Sequence, residues 1–222
     1  MSSPFGELVL LLGDLHIPYR QQLNKSGNNT SLMDFIPPKF AKMLVPGKMQ
    51  YVLCTGNLGA HAYSKAVHEE LLSVLVPSPN VHVVMGDYDI PGSGDTASYP
   101  ETKVLQIGQF RIGLIHGHQV VPWGDHASLA AVRRRLDVDI LVHGHTHKHE
   151  VLQYEGFYHI NPGSITGAYS TFRPTDEFSS IEPSFILLSV QGDKVVAYSY
   201  ELKSDEVDVS KAEFSKRDLP RK

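Results

Sequence analysis

The sequence predicts an α/β fold in which two mixed β-sheets form a sandwich flanked by helices. Short, continuously apolar runs in the first half of the chain are typical of strands buried on both faces, and helix-like segments separate them. Such strands pair in parallel through right-handed crossovers. After about residue 103 the turn residues take the spacing of hairpins, which indicates antiparallel strands.

Three early strands are predicted, and each ends at a glycine next to a carboxylate or an amide. They span Glu7–Leu12, Tyr51–Cys54 and Val81–Val84. Candidate helices lie between them, from about Pro38 to Leu44 and from His61 to Val74. This order of strand, helix and strand predicts a mostly parallel sheet.

The second half of the chain is predicted to be mainly antiparallel. The apolar runs Lys103–Ile107 and Phe110–Ile115 are separated by two turn residues, which predicts a hairpin. A helix is predicted from Asp125 to Arg135. Further strands are predicted at Asp139–His143, Val151–Tyr154, Phe157–Ile160, Ser184–Val190 and Lys194–Tyr200, the last two joined by a Gly-Asp turn.

One domain is expected over residues 1–202, with a polar insertion near residues 21–36. Residues 203–222 are charged and nearly aperiodic. They form either a frayed C-terminal tail or an edge added to a sheet.

Composition disfavours several functional classes. The net charge is 20 − 24 = −4, and the 222 residues contain no long basic stretch, so nucleic acid and anionic membranes are poor partners. Cys54 is the only cysteine, and no apolar segment of signal-peptide length begins the sequence, which favours a cytoplasmic protein. The apolar runs are far shorter than the roughly 20 residues of a membrane span.

Histidine is unusually frequent: the 12 histidines outnumber the 9 phenylalanines, and seven of them lie between His116 and His149. In open α/β sheets ligands bind at the carboxyl ends of the strands. Metal-ligating side chains follow predicted strands at five places, namely Asp14 with His16, Asn57, Asp87, His116 with His118, and His145 with His147.

This set of side chains predicts a metal centre. Carboxylate, amide and imidazole together suit zinc or manganese rather than calcium. Six or seven ligands are too many for one ion but suit two ions that share a bridging ligand, as in phosphoryl displacement. Taken alone, Asp14 is as readily a helix cap and Asn57 a turn residue. Five coincidences at strand ends favour the metal centre.

The motifs resemble those of the calcineurin-like metallophosphoesterase superfamily. The matching segments are Gly13-Asp14-Leu15-His16, Gly56-Asn57, Gly86-Asp87, His116-Gly117 and Gly144-His145-Thr146-His147, in this order. The resemblance implies that Asp14, His16 and His147 hold one metal ion. It further implies that Asp87, His116 and His145 hold the second ion, with Asn57 between the two.

Two positions depart from the superfamily pattern. An aspartate normally bridges the ions and an asparagine binds the second one, whereas here Asn57 is at the bridge and Asp87 at the terminal position. A neutral bridge compensates the repulsion of two cations less well, so we expect weak or partial occupancy. Tyr88 replaces the catalytic histidine, and a positioned acid or base is worth roughly 10²–10⁴ in rate. We therefore predict a non-catalytic centre.

Longer segments are similar to the family of small retromer subunits over almost the whole chain. They are Asp14–Pro18, Gly113–Asp125, Gly144–Lys148, Ile160–Ser164 and Thr166–Tyr169. The resemblance implies a scaffold in endosome-to-Golgi transport that is cytoplasmic and reaches endosome membranes only through its complex. The stretches 21–36 and 91–98 and the charged C-terminus depart from the family.

The same resemblance implies two binding surfaces. The metal-site face, with the loop residues Val120, Val121, Pro122 and Trp123, binds the large helical-solenoid retromer subunit. A second apolar patch recruits regulators such as Rab GTPase-activating proteins, and Leu187, Tyr198 and Tyr200 match it by position.

Several alternatives stay open at this point. One alternative is that Trp123 merely covers the core, and another is that Tyr198 and Tyr200 are core tyrosines. The main functional alternative is a weakly active metal-dependent phosphodiesterase or phosphatase, in which Asp89, His118 or a metal-bound water compensates for the missing histidine. A nucleic-acid processing enzyme is a third class, disfavoured by the net charge.

Overall fold

The structure is a computed structural model, and it describes residues 6–17, 34–59, 72–76, 79–89, 99–170 and 181–220. Most of the polar insertion, most of the predicted helix His61–Val74 and the 91–98 loop lie outside the described residues. No helix of the described part is long and apolar enough to cross a membrane.

The described residues form two sheets and two α-helices. The strands are β1 (Glu7–Leu12), β2 (Tyr51–Cys54), β3 (Val81–Val83), β4 (Thr102–Ile107), β5 (Phe110–Ile115), β6 (Ile140–Val142), β7 (Glu150–Tyr154), β8 (Phe157–Asn161), β9 (Ser184–Gln191), β10 (Lys194–Lys203) and β11 (Glu206–Ser215). The helices are α1 (Pro38–Met43) and α2 (His126–Leu136), and a 3₁₀-helix spans Lys216–Asp218. The predicted two-sheet α/β class is confirmed.

Both sheets mix parallel and antiparallel pairs, as predicted. The first has the order β11-β10-β9-β1-β2-β3, with β1, β2 and β3 parallel and the last three strands of the chain antiparallel. The second has the order β4-β5-β6-β8-β7, with β5, β6 and β8 parallel. Consecutive antiparallel strands are joined by short turns, whereas the parallel pairs require crossovers.

Strand β1 is buried on both faces because successive side chains point to opposite sides of a sheet. Leu10 and Leu12 enter the core that contains Phe40 of α1. Val9 and Leu11 enter the core between the two sheets. The continuous apolar run at Glu7–Leu12 therefore has a direct physical explanation: each alternate set of side chains fills a different core.

Helix α2 is capped at both ends. The Asp125 carboxylate accepts a hydrogen bond from the Ser128 N–H at 2.8 Å, and Asp137 ends the helix in the left-handed conformation. Leu129 packs with Val138 and Leu141 in a third apolar cluster. The predicted helix is confirmed, and this packing fixes the segment that follows the 116–125 loop.

The charged C-terminal segment forms an edge strand of a sheet, which was the second of its two predicted alternatives, and is not a frayed tail. Strand β11 pairs with β10 over ten residue positions and forms the edge of the first sheet. Its end is anchored to the second sheet, because Phe214 stacks on Tyr158 at 4.0 Å between ring centroids and Lys216 forms an ion pair with the buried Asp139. The edge alternates charged and apolar residues, a pattern that protects an exposed strand from pairing with other chains.

Candidate metal centre

The loops that follow β1, β2, β3, β5 and β6 converge at one end of the sandwich. Backbone hydrogen bonds join them: Asp14 N–H donates to Gly56 O at 3.0 Å, and His16 N–H donates to Asn57 O at 2.8 Å. Gly144 N–H donates to the carbonyl of His116 across the second sheet. The prediction that the strand ends bring the ligand residues together is confirmed.

The backbone at this end is strained. Positive φ angles, which non-glycine residues rarely adopt, occur at Asp14 (49°), His16 (47°), Asn57 (55°), His145 (72°) and His147 (55°). Each such residue costs on the order of 1–3 kcal/mol and persists only where the surrounding structure imposes it. The concentration of this strain in predicted ligands indicates a site that is built for binding.

The first ligand group is Asp14, His16 and His147, whose ligand atoms lie within 4.8 Å of one another and are buried. The Nε2 atoms of the two histidines are 3.2 Å apart. Two nitrogens bound at about 2.0–2.1 Å to one tetrahedral zinc ion would be about 3.3–3.4 Å apart. His147 Nδ1 contacts Ala168 O at 2.6 Å, which directs its Nε2 into the site.

The second ligand group in the structure is Asp87, His116 and His118, again with ligand atoms within 4.8 Å of one another. His116 Nε2 lies 3.0 Å from Asp87 Oδ1, and its Nδ1 is held by Thr55 O at 2.7 Å. The predicted third member, His145, has Nδ1 at 3.6 Å from Asp87 Oδ1. His118, predicted only as a neighbour, is therefore part of the group.

Asn57 lies between the two groups, as predicted. Its Nδ2 is 2.9 Å from Asp87 Oδ1, 3.4 Å from Asp14 Oδ1 and 3.0 Å from His116 Nε2. Its Oδ1 accepts a hydrogen bond from the Tyr88 N–H at 2.9 Å. The amide thus presents donors, rather than an oxygen, to the space between the two groups.

The charges of the site favour ionised carboxylates. Burial alone would raise the pKa of Asp14, but the positive charges of His147, His116 and His16 outweigh burial and lower it. Burial would also raise the pKa of Asp87. Hydrogen bonds from His116, His145 and Asn57 to its carboxylate outweigh burial and lower this pKa. The two carboxylates overcome burial and raise the pKa of His116.

The donor set fits divalent ions of the zinc or manganese type. It combines two carboxylates with at least four imidazoles, and Asn57 can add an amide oxygen. His145 Nε2 and His118 Nδ1 are buried and have no hydrogen-bond partner among the described residues. The His145 nitrogen that lies near Asp87 is the other one, Nδ1, so Nδ1 is the atom of His145 that is placed to act as a ligand.

Comparison with known proteins agrees with this geometry. Residues 8–193 match the family model of the calcineurin-like phosphoesterase superfamily domain. The vacuolar protein sorting-associated protein 29 of Schizosaccharomyces pombe is 34% identical over 209 residues, which cover 94% of this chain and 98% of the relative. The chain belongs to the Vps29 family of calcineurin-like phosphoesterases.

Solved Vps29 structures have the same fold. That of Cryptosporidium parvum is 42% identical, covers 96% of this chain and 100% of its own, and has a TM-score of 0.77. Vps29 of Entamoeba histolytica in complex with zinc is 41% identical, covers 93% of this chain and 98% of its own, and has a TM-score of 0.73. The resemblance indicated by the sequence motifs is confirmed.

Asp89 positions two of the ligand loops of this Vps29-family chain, a role that sequence reasoning did not assign. Its carboxylate accepts hydrogen bonds from the backbone N–H groups of Asn57 (2.6 Å), Gly86 (2.9 Å) and Leu58 (2.9 Å). The clue in the sequence was a second acidic residue two positions after Asp87. These three hydrogen bonds are all with backbone, so Asp89 orders the loops that carry Asn57 and Asp87.

Ser164 and Thr166 hold the first ligand loop from the other side. The Ser164 hydroxyl donates to Asp14 O at 2.7 Å and accepts from the Ala168 N–H at 2.9 Å. The Thr166 hydroxyl donates to Leu15 O at 2.8 Å. Both residues lie in sequence segments that support the family resemblance. Their structural role was not predicted, because a hydroxyl that bonds to a distant backbone carbonyl leaves no periodic pattern in the sequence.

Two glycines allow the site to close in the Vps29 fold. A Cβ at Gly86 would lie 2.1 Å from Asn57 Oδ1 and 2.6 Å from Asn57 N. A Cβ at Gly144 would lie 2.6 Å from Thr55 Oγ1 and 2.9 Å from Asp14 Oδ2. Any larger residue would displace the ligand side chains.

Apolar side chains surround the mouth of the site. Val121 is 73% exposed and Trp123 is 40% exposed, and Tyr88 and Tyr169 are also exposed large side chains. Tyr88 packs edge-on against the His16 ring at 5.3 Å. The alternative that Trp123 merely covers the core is wrong, because its ring lies against His145 at the mouth, with centroids 4.6 Å apart.

The loop next to the mouth requires one correction. Val120 was expected in the exposed apolar patch, but it is only 7% exposed and packs with Ile115 and Leu129 in the third apolar cluster. Val121 and Pro122 are exposed. Adjacent residues of the loop therefore have different roles, because the backbone turns Val120 inward toward α2 and Val121 outward.

The second predicted surface is half-buried. Leu187 and Tyr198 are paired across β9 and β10 and are partly accessible. Tyr200 is also half-buried, but its ring stacks on the buried Phe185 at 4.6 Å. Tyr200 and Leu187 pack against the first core. Each of these two side chains therefore combines a contact with the core and an accessible edge.

Proposed function

We propose that this chain is the small, non-catalytic scaffold subunit of retromer in endosome-to-Golgi retrograde transport. In this proposal the metal-site face binds the large helical-solenoid subunit, and the chain is cytoplasmic and reaches endosome membranes through the complex. The single observation that carries it is the apolar rim of the ligand site. An exposed apolar patch that contains a tryptophan is typical of a protein interface.

The ligand site itself supports a scaffold. Tyr88 occupies the position after Asp87, and its exposed ring lies on the rim instead of supplying an imidazole. A phenol hydroxyl is a weaker acid than an imidazolium ion and is a poor proton donor at neutral pH. Divalent ions, when bound, would polarise a phosphoryl oxygen and supply a nucleophilic water, but no positioned histidine follows Asp87 to protonate a leaving group.

The protein's own residues then have two tasks. The predicted ligand side chains hold the strand-end loops in one arrangement, with or without ions between them. These side chains are Asp14, His16, Asn57, Asp87, His116, His145 and His147. Val121, Pro122 and Trp123 present the apolar contacts that the partner covers. The closely packed loops make this face rigid, and a rigid surface loses little conformational entropy on binding.

A second surface of the scaffold binds regulators. We propose that Leu187, Tyr198 and Tyr200 recruit Rab GTPase-activating proteins. They lie on β9 and β10 of the first sheet, whereas Val121 and Trp123 lie in the loop after β5 of the second sheet. Separate surfaces allow both partners to bind at once.

A weak metal-dependent phosphoesterase is the second candidate, and the two ligand groups favour it. Its test is turnover of a nitrophenyl phosphoester with zinc or manganese. Activity that disappears in both Asp87→Ala and His116→Ala would support this candidate, whereas activity that survives these changes would come from a contaminant.

The scaffold proposal is tested with two purified proteins. The full chain is mixed with the large helical subunit at micromolar concentration, and the complex is measured by gel filtration with light scattering. We expect a 1:1 complex that Val121→Asp abolishes. Val209→Asp is the matched control, because Val209 is also exposed but lies on β11. Absence of a complex with the unmodified chain would refute the proposal.

A further inference from the structure

Two histidines outside the metal centre face each other where the start of α2 meets β8. The Nδ1 atoms of His126 and His159 are 3.2 Å apart, and their ring centroids are 5.5 Å apart. The difference between these distances equals twice the distance from the centre of an imidazole ring to its nitrogen, so both centres and both nitrogens lie almost on one line. The ring planes are inclined by only 25°. This is the geometry of a straight N–H···N hydrogen bond.

This pair differs from the two histidines of the first ligand group. The Nε2 atoms of His16 and His147 are also 3.2 Å apart, but their ring centroids are only 5.0 Å apart. Their lone pairs therefore converge at an angle, as they would on a tetrahedral ion. An ion on a straight line between two nitrogens would need a separation of about 4 Å. The space between His126 and His159 consequently fits a proton and not a metal ion.

Glu150 of β7 determines which of the two rings donates. Its Oε2 lies 3.1 Å from His126 Nε2. A carboxylate only accepts hydrogen bonds, so this nitrogen carries the hydrogen, and His126 Nδ1 has the lone pair when the ring is neutral. His159 Nδ1 must therefore donate to it. His159 Nε2 is then a buried acceptor, and it has no hydrogen-bond partner among the described residues.

We propose that Glu150, His126 and His159 form an acid-sensitive lock that holds the first turn of α2 and releases it when both rings are protonated. The inference goes beyond the proposed function and does not depend on it. His126 is the first residue of α2 and follows Asp125, which caps the helix and ends the 116–125 loop. The hydrogen bond from β8 to His126 therefore holds one end of that loop.

The lock stays closed with one added proton and opens with two. With one added proton, the pair still has a single hydrogen between its Nδ1 atoms, and the hydrogen bond becomes charge-assisted. With two added protons, both Nδ1 atoms carry hydrogen, so two donors and two positive charges face each other. The two rings therefore titrate as a pair and not independently.

The surroundings of His159 determine where the second proton binds. Burial, followed by the positive charges of His126 and Arg133, lowers the pKa of His159 to about 4. The carboxylates of Glu155 and Glu150 act in the opposite direction. The lock is therefore closed at neutral pH and opens as the pH falls toward about 4. The other titratable or charged groups around the three side chains are His143 after β6, Tyr154 of β7, Asp125 at the helix cap, and Lys148, which binds Glu150.

The hydrogen bond is tested by NMR on the metal-free full chain labelled with ¹⁵N. At neutral pH we expect a scalar coupling between the two Nδ1 nuclei, which a shared hydrogen transmits. We also expect an Nε2–H tautomer at His126 and an Nδ1–H tautomer at His159. The signals are assigned by their loss in His126→Gln and in His159→Phe. The opposite tautomers, or the absence of the coupling, would overturn the proposal.

The release is tested by hydrogen–deuterium exchange between neutral pH and about pH 4, with rates corrected for the intrinsic effect of pH. The amides of Ser128 and Leu129 both bond to Asp125, so they report on the first turn of α2. We expect their protection to fall about tenfold at the acidic end, while that of β1 is retained. Unchanged protection of the first turn, or an equal loss in β1, would contradict a local lock.

Three variants separate the lock from a general effect of acid. His159→Phe keeps a ring but cannot donate, so first-turn protection should be low at every pH. Glu150→Gln keeps an acceptor for His126 but removes the charge that favours the added protons, so release should move to lower pH. His82→Phe is the matched control, because the pKa of His82 is also lowered to about 4 but this residue lies in β3.

The variants also provide the results that would refute the lock. They are an acid release that persists in His159→Phe, a release that His82→Phe alters equally, and a midpoint that Glu150→Gln leaves in place. A release that only the first and third of these positions change, with the coupling present at neutral pH, supports the proposal.

Discussion

The Oδ1 atom of Asn57 accepts a hydrogen bond from the backbone N–H of Tyr88 at 2.9 Å, and this bond orients the whole amide. The nitrogen consequently faces Asp87 and Asp14, where a bridging ligand would need an oxygen. Rotating the amide would lose the hydrogen bond, worth about 1 kcal/mol, and place two donors against each other. The orientation of one side chain thus weakens the metal bridge.

Asn57→Asp should strengthen metal binding. A carboxylate can accept from the Tyr88 N–H with one oxygen and face both ligand groups with the other. It also adds a negative charge between two cations. We expect at least a tenfold rise in zinc affinity, measured by competition with a chromophoric chelator. Asn80→Asp adds the same charge elsewhere and should change nothing; equal effects of the two variants would contradict the bridge assignment.

The double change Asn57→Asp with Tyr88→His should restore hydrolysis. It supplies both an anionic bridge and an imidazole beside the ligand groups, and a positioned acid or base is worth roughly 10²–10⁴ in rate. We expect nitrophenyl phosphoester turnover at least a hundredfold above the unmodified chain, which disappears when His116→Ala is added. No gain in the double variant, at full metal occupancy, would show that other features keep the site inactive.

Asp89→Asn should loosen two ligand loops at once. The carboxylate accepts three backbone hydrogen bonds, and an amide in its place must turn a donor toward at least one of those N–H groups. Hydrogen bonds to a charged group contribute about 1.5–3 kcal/mol. We expect a loss of about 2 kcal/mol in the free energy of unfolding by urea, with weaker zinc binding. Asp205→Asn, in the exposed β10–β11 turn, is the control.

Stability should fall at acidic pH because His159 is buried as a neutral ring. Burial, followed by the charges of His126 and Arg133, lowers the pKa of His159 from near 6.5 to about 4. Between these values the unfolded chain binds a proton that the folded chain does not. The free energy of unfolding therefore decreases as the pH falls from about 6.5 to about 4, by at most about 3 kcal/mol.

This pH dependence is measured by urea unfolding in EDTA at several pH values between about 7 and about 4. His159→Phe keeps an aromatic ring beside His126 and Tyr154 but removes the titrating group. We expect a shallower decrease of stability in that variant. The same slope in both proteins would assign the effect to other groups, of which His143, whose pKa burial lowers to about 3, is the first to examine.

Much of the fold was predictable because its signals are local. The apolar run at Glu7–Leu12 indicates a strand buried on both faces, and the Asp125 cap lies at the start of its helix. Five of the ligand positions follow strand ends directly, so the crevice at those ends could be predicted from the chain order alone. Asp14, His16 and His147 were predicted to lie together, and they do, whereas their binding of an ion stays a prediction.

The remaining features depend on contacts between distant segments. Val120 and Val121 are equally apolar, and only packing against α2 buries one and exposes the other. The choice between His118 and His145 depends on how the 116–119 loop turns relative to the loop after β6. Asp89 acts through the backbone of three residues, and backbone hydrogen bonds are independent of the side chains that sequence patterns report.

Hydrogen–deuterium exchange on the complex with the large helical subunit tests the docking face most directly. If the metal-site face is the interface, the amides of residues 117–124 exchange more slowly in the complex than in the free chain, while those of β11 exchange unchanged. Slower exchange confined to β9, β10 and β11, with an unaltered 117–124 loop, would contradict the proposal that the large subunit covers the metal site.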